Sequence, residues 1–142
     1  MEKKQYYPKN SLRLCIDEMH GDIAGRIYSA AAKQPISFTG LPVFFLLGEE
    51  LFDILETPQA YQEKRSFRKK GRLIKKDTLI PWEHIGDIYE QKGQCMTYDV
   101  IVNTRKKSSW QGILKDASGK VLTQFESDLE LMFELEKNNK VV

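Results

Sequence analysis

Several features that usually reveal a protein's chemistry are scarce or missing in this sequence. It has two cysteines, Cys15 and Cys95, and their separation fits neither a zinc-binding pair nor a C-x-x-C redox pair. The longest apolar run, at 41–47, is far shorter than the ~20 residues of a membrane span. The N-terminal residues show no apolar signal sequence. We therefore expect a cytoplasmic protein with no membrane association and with two reduced, buried thiols.

Motifs for nucleotide binding and for hydrolysis are also missing. The chain has no G-x-x-x-x-G-K-[ST] or G-x-G-x-x-G phosphate loop and no G-x-S-x-G elbow. Asp17, Glu18, His20 and Asp22 cluster in a predicted turn, but a single imidazole there is more typical of turn chemistry than of a metal site. His84 stands alone, which favours a structural role. We predict no catalytic residue, no metal and no cofactor.

What is present is the composition of an ordinary globular domain. The 142 residues are 41% hydrophobic and 30% charged, and the net charge is +2. A chain of this length buries a core without a disulfide or a metal. We therefore expect a single compact domain over 1–142.

Each half of the chain predicts three strands followed by a helix. In the first half the strands are predicted over 12–16, 23–29 and 35–38. Gly40 and Pro42 then open a helix, which Thr57-Pro58 ends or kinks. In the second half the strands are predicted over 98–102, 110–115 and 120–125. The second helix starts at Ser127, which forms an S-x-x-E capping box with Glu130. Trp110 is predicted to anchor the core from its strand.

The two halves match in spacing, which indicates an internal repeat. Gly25 and Phe38 are 13 positions apart, as are Gly112 and Phe125. We predict an α+β fold of tandem β-β-β-α units, over 11–56 and 97–137. One unit alone has a thin core, so we expect the strands to pair edge to edge in one antiparallel sheet with both helices packed on one face. The alternative is two unrelated hairpin-plus-helix stretches.

The connecting segment, 57–96, contains nearly all the excess positive charge. Residues 61–76, called the basic segment below, carry a net charge of +7, whereas the stretches before and after carry −2 and −3. Trp82, Ile85, Ile88 and Tyr89 fall at helical spacing further along. The basic residues are the candidate anion- or nucleic-acid-binding set: Lys64, Arg65, Arg68, Lys69, Lys70, Arg72, Lys75 and Lys76.

The basic segment has three interpretations. Lys and Arg neutralise phosphates, and Tyr61 and Phe67 are suited to stacking on bases, so nucleic acid is one partner that fits. A solvated connection, or docking on the acidic faces of the same protein, is the interpretation that the charge pattern favours. Another acidic partner is the third interpretation.

Three stretches together resemble a known family. They are G-R-I-Y-S at 25–29, P-Q-A-x-x-x-K-R-S-F at 58–67, and W-Q-G-I at 110–113 with F-x-S-x-L-E-L at 125–131. The set resembles a family of small proteins from clostridia-like bacteria to which no activity is assigned. The resemblance covers most of the chain and implies a bacterial, cytosolic accessory protein, but it implies no site residues.

The function that these patterns favour is a non-catalytic interaction or regulatory module. The features that the sequence predicts best are those that pack a core, and none of them is catalytic. We expect exposed sheet edges to bind a peptide strand of an unknown protein partner or a second copy of the chain. The first alternative is a nucleic-acid-binding protein that uses residues 64–76. The third hypothesis is an enzyme with an unrecognised site around His20 or His84.

If the basic segment binds nucleic acid, the affinity will fall steeply with salt, because phosphate contacts release counterions. Replacing Arg68, Lys69, Lys70 and Arg72 with serine will weaken binding and flatten the log–log salt slope by up to about 3.6. Fluorescence anisotropy with DNA and RNA oligonucleotides at increasing salt measures both effects. No binding at low salt would contradict this alternative.

Overall fold

The computed structural model describes residues 7–32, 34–57, 73–74 and 85–137. They form an α+β structure, a six-stranded antiparallel sheet with two α-helices. The strands are β1 (Ser11–Glu18), β2 (Ala24–Tyr28), β3 (Ile36–Thr39), β4 (Met96–Thr104), β5 (Gln111–Asp116) and β6 (Val121–Phe125). The helices are α1 (Leu41–Leu55), α2 (Asp128–Glu136) and a 3₁₀ helix at Ile85–Glu90. Within these ranges, no helix has the length and apolar character needed to cross a membrane.

The two groups of three strands share one antiparallel sheet, as the sequence predicts. The strand order is β3-β2-β1-β4-β5-β6. β1 and β4 pair over six positions, from Ser11 opposite Ile101 to Ile16 opposite Met96. Each group would expose one of these strands if it folded alone. Pairing them buries both edges in the middle of the sheet.

One face of the sheet carries the main hydrophobic core. Leu12, Leu14 and Ile16 alternate onto this face along β1, as their spacing predicts, and Val100 and Val102 continue it on β4. The helices add apolar side chains to the same core: Phe44, Leu47, Leu51 and Phe52 from α1, and Leu131 and Leu135 from α2. Both helices therefore lie on one face of the sheet.

Trp110 is the largest side chain in this core, which confirms its prediction as an anchor. Its ring packs against Phe44, Phe45 and Phe52 with ring centroids 5.0–5.9 Å apart. Gly48 allows α1 to approach the indole, because an added Cβ would lie 2.5 Å from its Cη2 atom. Trp110 precedes β5 rather than lying within it.

Two glycines occupy corresponding places in the two halves of the sheet. Gly25 on β2 lies opposite Phe38, and Gly112 on β5 lies opposite Phe125. A Cβ at Gly25 would lie 2.0 Å from a backbone oxygen of β1, and a Cβ at Gly112 would lie 1.8 Å from one of β4. The backbones are therefore too close for any side chain at either position.

The ends of α1 follow from its backbone conformation. Gly40 precedes the helix with φ of +89°, and Pro42 lies in the first turn. The sequence predicts an end or a kink at Thr57-Pro58, and the helix ends just before it, at Leu55. Glu56 adopts the left-handed conformation, with φ of +55°, and its N–H donates to a carbonyl of the last turn.

The cap of α2 matches half of the predicted capping box. The Ser127 hydroxyl accepts a hydrogen bond from the Glu130 N–H at 3.1 Å, as predicted. In return the Glu130 carboxylate accepts from the Glu126 N–H at 3.3 Å, not from that of Ser127. The reciprocal bond is shifted by one residue, so the two side chains still satisfy two backbone N–H groups at the start of α2.

Two expectations from the sequence are wrong. Cys95 is exposed, because it precedes β4 at the end of the sheet, where its N–H donates to the carbonyl of Ile16. The apolar spacing around Ile88 and Tyr89 predicts an α-helix, whereas the chain forms a 3₁₀ helix there. Trp82, at the start of that predicted helix, lies outside the described residues.

Replacing Gly25 or Gly112 with alanine will destabilise the protein, because the new Cβ forces two paired strands apart. We expect a loss of about 2–3 kcal/mol in the free energy of unfolding for each variant, as for other overpacked sites. Urea titration followed by circular dichroism measures it. Ser37→Ala, at an exposed position on β3, is the control and should change stability by less than about 0.5 kcal/mol. Wild-type stability in either glycine variant would contradict the close approach.

Candidate interaction surface

The predicted anion-binding residues lie outside the part of the chain that the structure describes: Lys64, Arg65, Arg68, Lys69, Lys70, Arg72, Lys75 and Lys76. Two residues of the basic segment, Leu73 and Ile74, are described. The Glu50 carboxylate on α1 accepts from both backbone N–H groups, at 2.9 Å from Leu73 and 3.3 Å from Ile74. Ile74 is also buried in the main core. The chain between Thr57 and Leu73 therefore departs from the end of α1 and returns to the same helix.

Asp17, on β1 before the polar turn near His20, forms an ion pair with Arg26 on β2. Asp17 accepts two hydrogen bonds from the Arg26 guanidinium, at 3.0 and 3.2 Å, and one from the Gln94 N–H at 3.0 Å. The bonds from Arg26 contribute most to holding the pKa of the Asp17 carboxyl below its usual value. In the described ranges, no three His, Cys, Asp or Glu side chains are grouped to hold a metal ion. His84 lies outside those ranges.

A buried ionic network covers the face of the sheet opposite the helices. Arg13 on β1 is 1% exposed and lies beside Asp99 on β4, with 2.7 Å between its Nη1 and the Asp99 Oδ2. Its other two nitrogens donate to the backbone carbonyls of Tyr89 and Gln91. The Tyr7 hydroxyl donates to the second oxygen of Asp99 at 2.7 Å. The network ties the segment around Tyr7 and the 3₁₀ helix to the middle of the sheet.

Burial on this face raises the pKa of two side chains that are neutral when protonated, Tyr7 and Cys15. Burial is the main cause for Tyr7, whose pKa lies well above its usual value, and the Asp99 carboxylate adds to the effect. Burial likewise raises the pKa of the Cys15 thiol to about 11. Both groups therefore stay protonated at neutral pH. They support the fold and are not poised as nucleophiles.

A second ionic cluster joins α1 to the loop between β4 and β5. Arg105 is buried, and its Nη1 lies 2.8 Å from an oxygen of Asp53 and 3.3 Å from one of Glu49. Glu49 also accepts from the Trp110 indole N–H at 2.7 Å. The guanidinium lies over the ring of Phe52, 5.8 Å from its centroid. These bonds hold α1 against the second half of the sheet.

α2 is fixed from its inner side by polar contacts as well as by the core. The Asp128 carboxylate accepts from the backbone N–H of Trp110, and the Asp128 N–H donates to the Ser109 hydroxyl, both at 2.8 Å. Burial raises the pKa of Asp128 against the lowering effect of these bonds. Leu131 and Leu135 insert into the core. Asp128 and Trp110 are 18 positions apart, so no local sequence pattern marks this contact.

The outer side of α2 carries exposed apolar residues. Leu129 and Phe133 are one turn apart, on the side opposite Leu131 and Leu135, and are 56% and 66% exposed. Exposed acidic residues flank Phe133 three positions away on either side, at Glu130 and Glu136. We call these four outer residues the α2 surface: Leu129, Glu130, Phe133 and Glu136. Sequence periodicity misses it, because the apolar residues of α2 lie on both of its sides.

The strand next to α2 also carries exposed apolar residues. β6 is an outer strand, and its Val121 and Leu122 are exposed. An outer strand leaves backbone N–H and C=O groups unpaired along one side. The α2 surface and the β6 edge thus lie at the same end of the sheet. A separate pair of exposed apolar residues, Val43 and Leu46, lies on α1.

Comparisons with known proteins assign no family to the chain. No protein-family model matches it, and neither the curated proteins nor the solved structures provide a match. The resemblance to the clostridial family stays a prediction.

Stability will fall as pH rises above about 9, because Cys15 and Tyr7 ionise more readily in the unfolded chain. A thiol whose pKa rises from 9.0 to about 11 contributes stability that is complete below pH 9 and is lost progressively towards pH 11. For Cys15 the loss amounts to at most about 2.7 kcal/mol. Urea unfolding of wild type and Cys15→Ala at about pH 8 and about pH 11 measures this contribution.

Cys95→Ala is the matched control for this measurement, since that thiol is exposed. The stability of Cys15→Ala should depend less steeply on pH than that of wild type. The stability of Cys95→Ala should keep the wild-type dependence. Equal dependence in all three proteins would contradict a protonated, buried Cys15.

Proposed function

We propose that this protein is a non-catalytic interaction module that binds a partner polypeptide at the α2 surface. The observation that carries the proposal is Phe133, a large aromatic side chain that is 66% exposed on a helix already fixed from its other side. Such a side chain contributes little to folding, because most of its area stays in water. Exposed aromatic residues are typical anchors of protein interfaces.

The charge of α2 indicates the chemistry of the partner. The two charged residues of the α2 surface, Glu130 and Glu136, are both acidic. Opposite charge favours association at an interface, and like charge opposes it. The partner segment is therefore basic and amphipathic, with an apolar side chain that covers Phe133. A phosphate backbone is repelled from this surface.

The β6 edge supplies a second element of the same interface. β6 is outermost among the described strands, a position at which a sheet can accept an added strand, and Val121 and Leu122 offer apolar contacts beside it. An interface needs about 800 Å² on each partner, which is more than two side chains of one helix provide. The α2 surface and the β6 edge together offer a larger contact area for a partner than the α2 surface does alone.

Nucleic-acid binding by the basic segment is the second candidate function. The +7 net charge of 61–76 favours it, and the Glu50 carboxylate holds Leu73, near the end of that segment, against α1. An enzyme ranks third, because the buried ionisable groups among the described residues are held in bonds that support the fold. Arg13, Asp99 and Arg105 are examples.

Two finer features belong to the same proposal. The β-β-β-α succession occurs twice, and Gly25 and Gly112 meet the same steric restriction opposite a phenylalanine, which supports a duplicated unit. A cytoplasmic location is supported by Cys15 and Cys95, which are both free thiols.

The proposed function is tested by photo-crosslinking from the α2 surface. A p-benzoylphenylalanine in place of Phe133 should form discrete adducts with a partner polypeptide in lysate of the source cells. The same group in place of Leu46 is the matched control, because Leu46 is also 56% exposed but lies on α1. An excess of wild-type protein should compete the adducts away.

The partner identified in this way is then measured with purified proteins. Phe133→Ser should raise the dissociation constant at least tenfold, as expected for an interface anchor, and Leu46→Ser should leave it unchanged. The same adducts from both positions, or equal affinities in the two variants, would contradict the proposal.

A further inference from the structure

The two halves of the sheet pair their strands in the same pattern. Ile16 on β1 lies opposite Gly25, and Val102 on β4 lies opposite Gly112. Directly beyond each of these pairs, the register between the two strands shifts by one residue. Ile16 and Val102 are therefore equivalent positions. Because they are 86 residues apart, each position of β1 has its equivalent 86 residues further along the chain, on β4.

The pairing of β1 with β4 is symmetric about one of its pairs. Leu12 lies opposite the equivalent of Leu14, and Leu14 lies opposite the equivalent of Leu12. Arg13 lies opposite Asp99, which is its own equivalent. Of the six pairs described between these strands, only this one joins two equivalent positions. An approximate two-fold axis of the sheet therefore passes between Arg13 and Asp99.

A residue on this axis meets a copy of itself when two identical strands pair. In the register that keeps Leu12 opposite Leu14, pairing of β1 with the β1 of a second copy brings the two Arg13 side chains together. Pairing of β4 with the β4 of a second copy brings the two Asp99 side chains together. Like charges that face each other across two strands repel, and burial strengthens the repulsion because it removes water. Arg13 and Asp99 are 1% and 7% exposed, so this site is buried.

The apolar side chains of the two strands do not distinguish these arrangements. Both strands direct alternating apolar side chains into the main core: Leu12, Leu14 and Ile16 from β1, and Tyr98, Val100 and Val102 from β4. A strand of this kind can pack beside a copy of itself as well as beside its equivalent. Arg13 and Asp99 are different, because they attract each other, with 2.7 Å between the guanidinium and the carboxylate. The charges therefore supply the difference between right and wrong partners that the core lacks.

We propose that Arg13 and Asp99 determine which strands pair in the middle of the sheet. Their attraction selects β1 with β4, and the repulsion of like charges excludes β1 with β1 and β4 with β4 between two copies of the chain. This role goes beyond the proposed function and does not involve the partner of the α2 surface. It also protects β1 and β4 while they are still unpaired during folding, because an exposed strand edge readily pairs with another chain.

Disulfide trapping tests the proposal, because it reports pairing of β1 between two copies. When β1 pairs with β1 about Arg13, position 11 of one copy lies opposite Cys15 of the other. Opposite Cα atoms of antiparallel strands are about 4.5–5.5 Å apart, within the span of a disulfide. On one strand the same two positions are about 13 Å apart and cannot bond. The reporter protein therefore carries Ser11→Cys, together with Cys95→Ala to remove the exposed thiol.

Two single substitutions in the reporter protein break the same ion pair but have different effects on β1–β1 pairing. Arg13→Gln removes the like charges from it, whereas Asp99→Asn leaves the two Arg13 side chains facing each other. All three proteins are refolded from urea with oxidised glutathione, which is reduced as two thiols form a disulfide. We expect at least about tenfold more covalent dimer from Arg13→Gln than from the reporter protein, and no increase from Asp99→Asn. Non-reducing gel electrophoresis measures the dimer, and peptide mass spectrometry checks that position 11 is bonded to Cys15.

Equal dimer yields from Arg13→Gln and Asp99→Asn would overturn the proposal, because lost stability alone would then explain them. A second variant covers the case in which Arg13→Gln does not fold. Arg13→Met with Asp99→Leu replaces the ion pair by an apolar pair, a change that often preserves stability, and it should also form the dimer. Absence of the dimer from both variants would overturn the proposal. Crosslinking from Phe133 does not involve β1 or β4, so the proposed function succeeds or fails independently.

Discussion

The antiparallel pairing of β1 with β4 is the interaction on which the rest of the structure depends. Each group of three strands with one helix would have a thin core and an exposed inner edge on its own. The pairing removes both edges and places Leu12 opposite Val100 and Leu14 opposite Tyr98 in a continuous core. It also sets Arg13 opposite Asp99 on the other face, so the same register organises both sides of the sheet.

The two faces of the sheet are covered by different means, and the difference bears on function. The helix side excludes water with apolar side chains centred on Trp110. The other side buries Arg13 with its partners, which is stable only because each of its three nitrogens has an acceptor. Arg13 and Asp99 are charged groups of the kind found in active sites, but here they stabilise the fold. The outer side of α2 needs no such explanation from folding, and that is why it carries the functional proposal.

Strand periodicity and helix signals predicted much of the fold, because they depend on neighbours in the sequence. The alternation of Leu12, Leu14 and Ile16 and the cap at Ser127 are local features of this kind. Glu50 bonding to the backbone of Leu73 is different, since a carboxylate that accepts from distant N–H groups leaves no mark in the sequence. The exposure of Phe133 was equally hidden, because apolar residues on both sides of α2 conceal which side faces the core.

By itself the sequence determined the two successions of three strands and a helix, Trp110 as a core residue and the concentration of positive charge at 61–76. These follow from residue spacing and composition, which act over a few positions of the chain. Only the tertiary structure decided which charged side chains are buried in ion pairs and which apolar side chains remain exposed to water. Arg13 and Phe133 show the reason: burial depends on what the folded chain brings alongside a residue, and those neighbours come from parts of the chain that local pattern does not connect.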